Sequence, residues 1–321
     1  MDWRVKAVVQ GLLSKVPVGE SLNDGLQRWV GGRLDQGRHI DMKFTGDWLV
    51  LMRVLRELKF EVRGQTLMEV GTGWLPVLPL SFALCGARGV HSFDLSRHLN
   101  QSAVPGVLRR LGTHLKALSE AAGQTEAEVT ERHRCLTSAA NAAANLLDAG
   151  AAVLDLAGIK YHAPADATRT GLPSRSLGLV FSNSVLEHVS AAALGPLMTE
   201  TKRLLTAHGL TLHSVNCGDH FAYFDRAITP LNYLRYTDDQ WQRWNNNLLF
   251  QNRLRPSDFT ATARRHGLKV VHQIQTERQD LLAKIPGHQI APEFQHYDAR
   301  DLSCTSVTFA ARPNERPWCA P

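Results

Sequence analysis

Two glycines and a carboxylate carry the first chemical signal in this chain. The stretch Thr66–Pro76 runs as a strand-length apolar segment containing Glu69 and reaches Gly71-Thr72-Gly73. It then enters a segment that begins with prolines and stays apolar to Cys85. Glycines there permit a tight turn and close backbone approach to a ligand, and a following helix N-terminus offers free N–H groups to a polar or anionic group. Val90-His91-Ser92-Phe93 reads as a second strand, and it ends in Asp94. The separation of Gly73 and Asp94 is near that at which a carboxylate on the next strand meets ribose hydroxyls, two of which it can accept at once. Asp94-Leu95-Ser96 also suits a helix cap.

A second grouping lies at 213–236, where His213, Cys217, Asp219, His220, Asp225 and Arg226 are interleaved with Phe221, Tyr223, Phe224, Tyr233 and Tyr236. Trp241 and Trp244 follow. Ring faces attract positive charge, so this density suits a pocket for a cationic centre; it equally suits a loop packing under a helical cap.

The elements that must position these residues alternate. Residues 1–63 read as helical, with Val5, Val8, Val9, Leu12 and Leu13, and again Leu49–Leu58, at helical spacing; Gly31-Gly32 and Gly37 break the pattern. This segment either packs on a sheet edge or forms a lid over the turn at Gly71. From residue 64 strands and helices alternate: strands at Leu67–Val70 and Val90–Asp94, with a helix over about 74–85 between them. Residues 97–155 interrupt the rhythm with Ala-, Leu-, Glu- and Arg-rich sequence of poor strand signal, read as an insertion of two or three helices. It would shape a substrate pocket or an oligomer contact. Strands resume at Ile159–Asp166, Leu177–Phe181, Leu210–Val215, Leu268–Gln275 and Thr305–Ala310, with helices over about 190–206 and 259–267. The expected organisation is a lid at 1–63 and a nucleotide-binding α/β domain at 64–313. That domain carries the insertion at 97–155 and a substrate cap at 217–256, and a tail follows at 314–321.

Four segments together resemble class I S-adenosylmethionine (SAM)-dependent methyltransferases of the bacterial methyltransferase type 11 sort. Glu69-Val70-Gly71-Thr72-Gly73 resembles the family's first motif, at the methionine part of SAM, and Asp94 matches the acid on the ribose. Asp166-Ala167 matches the pair at the adenine. Phe181-Ser182-Asn183-Ser184-Val185-Leu186-Glu187-His188 matches the segment ending the fourth strand under the sulfonium. The resemblance implies a Rossmann-like seven-stranded mixed sheet, flanked by helices, whose last strand runs antiparallel between its neighbours. It implies cofactor contacts from Glu69, Gly71, Thr72, Gly73, Asp94, Asp166, Ala167, Ser182 and Asn183. Three departures mark a divergent subgroup. Leu75 stands where a third glycine is usual, Gly178 replaces the acid opening the fourth strand, and Ala207-His208-Gly209 replaces a Pro-Gly-Gly turn.

On that resemblance the chain is a methyltransferase for a small molecule, with SAM as methyl donor. The sulfonium is already activated, so the protein must align the acceptor, exclude water and, for some acceptors, take a proton. His220 is the first choice of base, Tyr223 of substrate or sulfonium contact, His188 of an alternative base, and Asp219 or Asp225 of orienter. A runner-up is an enzyme with SAM as its sole substrate, similar to azetidine-2-carboxylate synthases, which release methylthioadenosine. A dinucleotide-dependent oxidoreductase fits Gly71-Thr72-Gly73 and Asp94 but not Asp166 or Asn183, and a SAM-binding protein without catalysis also fits.

Composition bounds these readings. Of 321 residues, 44% are hydrophobic and 21% charged, enough apolar sequence for a substantial core. The net charge of +6 is dispersed in short pairs such as Arg109-Arg110, which argues against a nucleic-acid partner. No apolar run approaches about eighteen residues, and Met1-Asp2-Trp3-Arg4 lacks a secretory signal pattern, so a cytoplasmic protein away from membranes is expected. Five scattered cysteines fit a reducing compartment, and no metal site is expected; the nearest grouping is His213-Cys217-His220.

Overall fold

Seven strands make one sheet in the order β3-β2-β1-β4-β5-β7-β6. The computed structural model describes residues 2–13, 36–143, 149–246, 248 and 250–314. The strands are β1 (Thr66–Val70), β2 (Gly89–Phe93), β3 (Ile159–His162), β4 (Leu177–Asn183), β5 (Leu205–Asn216), β6 (Leu268–Glu277) and β7 (Cys304–Pro313). β1 to β5 run parallel, while β7 lies antiparallel between β5 and β6. This is the Rossmann-like mixed sheet that the sequence resemblance implied. β4 is buried up to its last residue, as a central strand covered on both faces must be, which explains its near-continuous apolar run. β3 stops at His162, short of the expected Asp166, because Pro164 has no N–H to continue the ladder.

On one face, α4 (Val77–Leu84) is buried at all eight positions. A helix apolar all round needs cover on every side. The cover comes from two places that the sequence set apart. The first is α2 (Gln36–Met42), a π-helical turn at Lys43–Trp48 and α3 (Leu49–Glu57). Gly37, expected as a break, lies in the first turn of α2, where intrahelical N–H bonds are not yet required. Gly31-Gly32 lies outside the described residues.

The second cover is the insertion, which contains four described helices rather than two or three. They are α5 (Val104–Leu111), α6 (Leu115–Ala122), α7 (Glu126–Ala142) and α8 (Ala149–Leu156). Glycines and short 3₁₀ turns split the Ala- and Leu-rich run more often than propensity alone suggested. α7 starts at a capping box, with the Glu128 N–H on Thr125 Oγ1 and the Thr125 N–H on Glu128 Oε2. Val104, Val107, Leu108, Leu111, Leu118, Val129, Leu136 and Val153 are buried in the same core as α4. These side chains of the insertion are therefore spent on packing within the chain.

α1 (Trp3–Leu13) goes elsewhere. Trp3 is 2% exposed and sits among Phe221, Tyr236, Trp241 and Trp244, with ring centroids 5.1 to 6.0 Å away. The same cluster includes Leu231, Tyr233, Leu234, Phe294 and Leu302. The aromatic richness of 217–256 is thus largely a small second core built around Trp3, while Tyr223 and Phe224 stay exposed. Arg255 anchors this unit from below: fully buried, it donates to the carbonyls of Cys217, Asp301 and Leu302 and to the Tyr233 hydroxyl. No helix among the described residues is long and apolar enough to cross a membrane.

Candidate active site

The sheet order reverses between β1 and β4, and at such a switch point the loops after neighbouring strands part to leave a crevice. Register sets who meets there. Val70 pairs with Phe93, so Gly71 and Asp94 emerge side by side, and the Gly71 N–H donates to the Phe93 carbonyl at 2.8 Å. Asn183, across from them, ends β4 opposite Ser214. A cleft of about 770 Å³ opens at this edge, lined by Gly71, Thr72, Gly73, Asp94, Asp166, Ala167 and Asn183. Seven of the nine expected cofactor residues thus converge on one cavity.

The other two lie behind it. Glu69 is buried, and its Oε2 accepts from the hydroxyls of Thr72 (2.7 Å) and Ser92 (2.9 Å), fixing the glycine turn from below. Burial pushes its carboxyl up to about 7, against the pull of those two bonds. Ser182 is fully buried and pairs its hydroxyl with His213 Nδ1 at 2.7 Å, inside the sheet. His213 Nε2 meets Thr211 Oγ1 at 2.6 Å, and burial pushes its pKa down to about 3, so the ring stays neutral.

Gly71 has φ +79°, and a Cβ there would stand 2.4 Å from Val185 Cγ2. Only glycine combines that backbone with that approach. Gly73, at φ +67°, has open space around it, so its requirement is conformational alone. Asp94 Oδ2 accepts from the Tyr161 hydroxyl at 2.9 Å, and that oxygen in turn accepts the backbone N–H groups of His98 and Leu99. Burial raises the Asp94 pKa, while the Tyr161 bond and the N–H groups of Gly73 and Thr72 act against the rise. Asp166 Oδ1 accepts from the Thr168 N–H at 2.8 Å, holding the turn that presents Ala167.

Sequence reasoning missed several liners. Lys43 reaches the cleft from the π-helical turn, a helix irregularity often found at functional sites. Asp47 of the same turn hydrogen-bonds Asn183; burial raises its pKa and nearby Lys43 opposes the rise. The spacing of this turn gives no periodic signal, and only its closeness to Asn183 in space marks it. His98, Val185 and Phe250 also line the cleft.

Of the proposed acid–base residues, His188 lines the cleft, and its Nδ1 lies 2.6 Å from the Phe250 carbonyl. Tyr223 is 71% exposed and borders a second cavity of about 380 Å³, which adjoins the first at Ser184. Its hydroxyl accepts from Asn216 Nδ2 at 2.6 Å. His220 does not pair with either expected orienter. Asp219 is buried and accepts from the Phe221 N–H and Asn232 Nδ2, both at 2.8 Å. Asp225 accepts from the N–H groups of Trp3 and Ala227. Both carboxylates cap or tie backbone instead of steering the imidazole. His220 faces Glu187 and His188, and burial, with smaller effects of His188 and Lys6, pushes its pKa down to about 3. His213, held inside the sheet by Ser182 and Thr211, is not part of the group that His220 forms with Glu187 and His188.

No protein-family model matches the sequence, and no curated protein matches it. Solved structures with a similar chain path include geranyl diphosphate methyltransferase in complex with SAM, at 14% identity and TM-score 0.44, covering 83% of this chain and 85% of that one. Another is geranyl diphosphate C-methyltransferase from Streptomyces coelicolor A3(2) with Mg2+, geranyl diphosphate and S-adenosyl-L-homocysteine, at 13% identity and TM-score 0.44, covering 82% and 79%. A SAM-dependent methyltransferase from Mesorhizobium loti is similar at 16% identity and TM-score 0.42, covering 81% and 96%. By its own sheet order and strand directions, this chain is a seven-stranded Rossmann-like α/β protein.

Proposed function

We propose that the protein binds SAM in the 770 Å³ cleft and transfers its methyl group to a small molecule. The observation that carries this reading is the convergence of Gly71, Thr72, Gly73, Asp94, Asp166, Ala167 and Asn183 on one cavity at the switch point. In this reading the glycine turn admits the methionine arm, Asp94 takes the ribose hydroxyls, and Asp166 accepts from the adenine amine over Ala167. Lys43, a cation reaching in from the π-helical turn, takes the methionine carboxylate, so residues 36–57 serve as the lid. The acceptor enters beside Ser184, from the cavity bordered by Asn216, Tyr223 and Arg278. Catalysis then rests mainly on in-line alignment and water exclusion, which for an activated sulfonium carry most of the barrier reduction.

Calorimetry with SAM, its demethylated product S-adenosylhomocysteine and NAD tests the cofactor: saturable binding of the first two is expected, and binding of NAD alone would sink the reading. Mass spectrometry of SAM with enzyme separates the chemistries. S-adenosylhomocysteine formed with an acceptor supports methyl transfer, whereas methylthioadenosine formed from SAM alone would mean that SAM is the sole substrate.

A further inference from the structure

Glu187 and His188, in the 3₁₀ turn after β4, meet His220, in the turn after β5. One potential ligand atom from each lies within 4.8 Å of the other two. We infer that these three side chains form a binding site for a divalent transition-metal ion at the rim of the cleft.

Three features support it. Glu187 is 1% exposed, yet neither carboxylate oxygen has a hydrogen-bond partner. The backbone N–H groups of Glu187 and Asn216 lie nearby but outside hydrogen-bond geometry. A buried carboxylate with no partner is costly in a protein that holds nothing else there. His220 Nε2 is likewise buried without a partner. His188 supplies the third feature. A carbonyl can only accept, so its 2.6 Å contact with Phe250 makes Nδ1 the protonated nitrogen and leaves the Nε2 lone pair free. A carbonyl behind one ring nitrogen is the usual outer partner of a metal-bound histidine.

Two imidazoles and one carboxylate suit zinc, iron(II), manganese(II) or cobalt(II) better than magnesium or calcium, which prefer oxygen donors. Ligand atoms around a tetrahedral ion at about 2.1 Å stand roughly 3.4 Å apart, so side-chain atoms within 4.8 Å need to close by at most about 1.4 Å. Three protein ligands leave a coordination position open, and His188 places the site beside the cleft. If methyl transfer is the activity, an anionic oxygen of the acceptor fills that position, and the ion holds the acceptor in line with the sulfonium.

The test titrates the chelator-stripped full chain with Co2+, following visible absorption, with Zn2+ as competitor and SAM calorimetry on metal-free protein in parallel. One equivalent of Co2+ is expected, displaced by Zn2+. Glu187→Gln and His220→Ala should each weaken it at least about 10-fold, and the exposed His208→Ala should leave it unchanged. Wild-type protein without a saturable single equivalent, or variants that bind like wild type, would overturn the site. His220 is only half-buried, so its variant keeps the test decisive should Glu187→Gln fail to fold. SAM binding by the metal-free chain reports on the cofactor reading independently.

Discussion

The Tyr161 hydroxyl donates to Asp94 Oδ2 at 2.9 Å while accepting the N–H groups of His98 and Leu99. A single oxygen on β3 thus orients the carboxylate at the end of β2 and organises the loop that follows it. Asp94→Ala should weaken SAM binding about 100-fold, for two lost charge-assisted bonds of about 1.5 kcal/mol each. Tyr161→Phe keeps the carboxylate but frees its orientation, and should weaken binding roughly 10-fold. Calorimetric Kd values matching wild type in both variants would remove Asp94 from the cofactor site.

Gly71→Ala should abolish measurable SAM binding and destabilise the protein by about 1–3 kcal/mol, since the new Cβ meets both strained backbone and the Val185 side chain. Adding Val185→Ala removes the clash and leaves the strain. In chemical denaturation the double variant should recover part of the loss and no more. Full recovery would mean that φ at this position matters little.

Much of this site was legible because its residues stand at strand ends, where a short apolar run and one polar residue announce both the element and its edge. Gly71, Asp94 and Asn183 are each of that kind. Ser182 carries the same signal, but strand alternation turns its side chain into the sheet, one residue before Asn183 turns out. What could not be read is what depends on packing between distant segments. Lys43 meets the cleft only because α4 needs cover, and Glu187 meets His220 only because β5 lies beside β4. The aromatic stretch could not be assigned to packing for the same reason, since its partner Trp3 lies over two hundred residues upstream.

Glu69 gives the protein a pH dependence of definite sign. Its folded-state pKa of about 7 stands above its ordinary value near 4.5. Between those values the folded state holds a proton that the unfolded chain releases, so this residue's contribution to stability falls as pH rises and levels off above about 7. Glu69→Gln cannot ionise. The stability of the variant relative to wild type should therefore rise by roughly 3 kcal/mol between pH 4 and 8. Denaturation at several pH values reads the difference directly, and a flat difference would place the carboxyl in a more polar setting than the structure gives it.

Trp3→Ala should cost about 3–5 kcal/mol in the unit formed by α1 and the aromatic cap, as loss of a buried aromatic does elsewhere. Hydrogen exchange should show amides of 221–241 exchanging faster while those of β1 and β4 keep their protection. A uniform loss of protection across the sheet would instead make the cap and the sheet one cooperative unit.

The placement of Trp3 also dictates an order of assembly. Its N–H donates to Asp225, 222 positions away in sequence, and its ring sits among Phe221, Tyr236, Trp241 and Trp244, in a cluster that extends to Phe294 and Leu302. During synthesis α1 therefore waits, Trp3 unmatched, until the 222 residues out to Asp225 have been added. Contacts of such long range are slow to close. The α1 helix is thus a clasp that closes only on residues between Phe221 and Leu302, and a chain stalled before Phe221 carries it with nothing to hold.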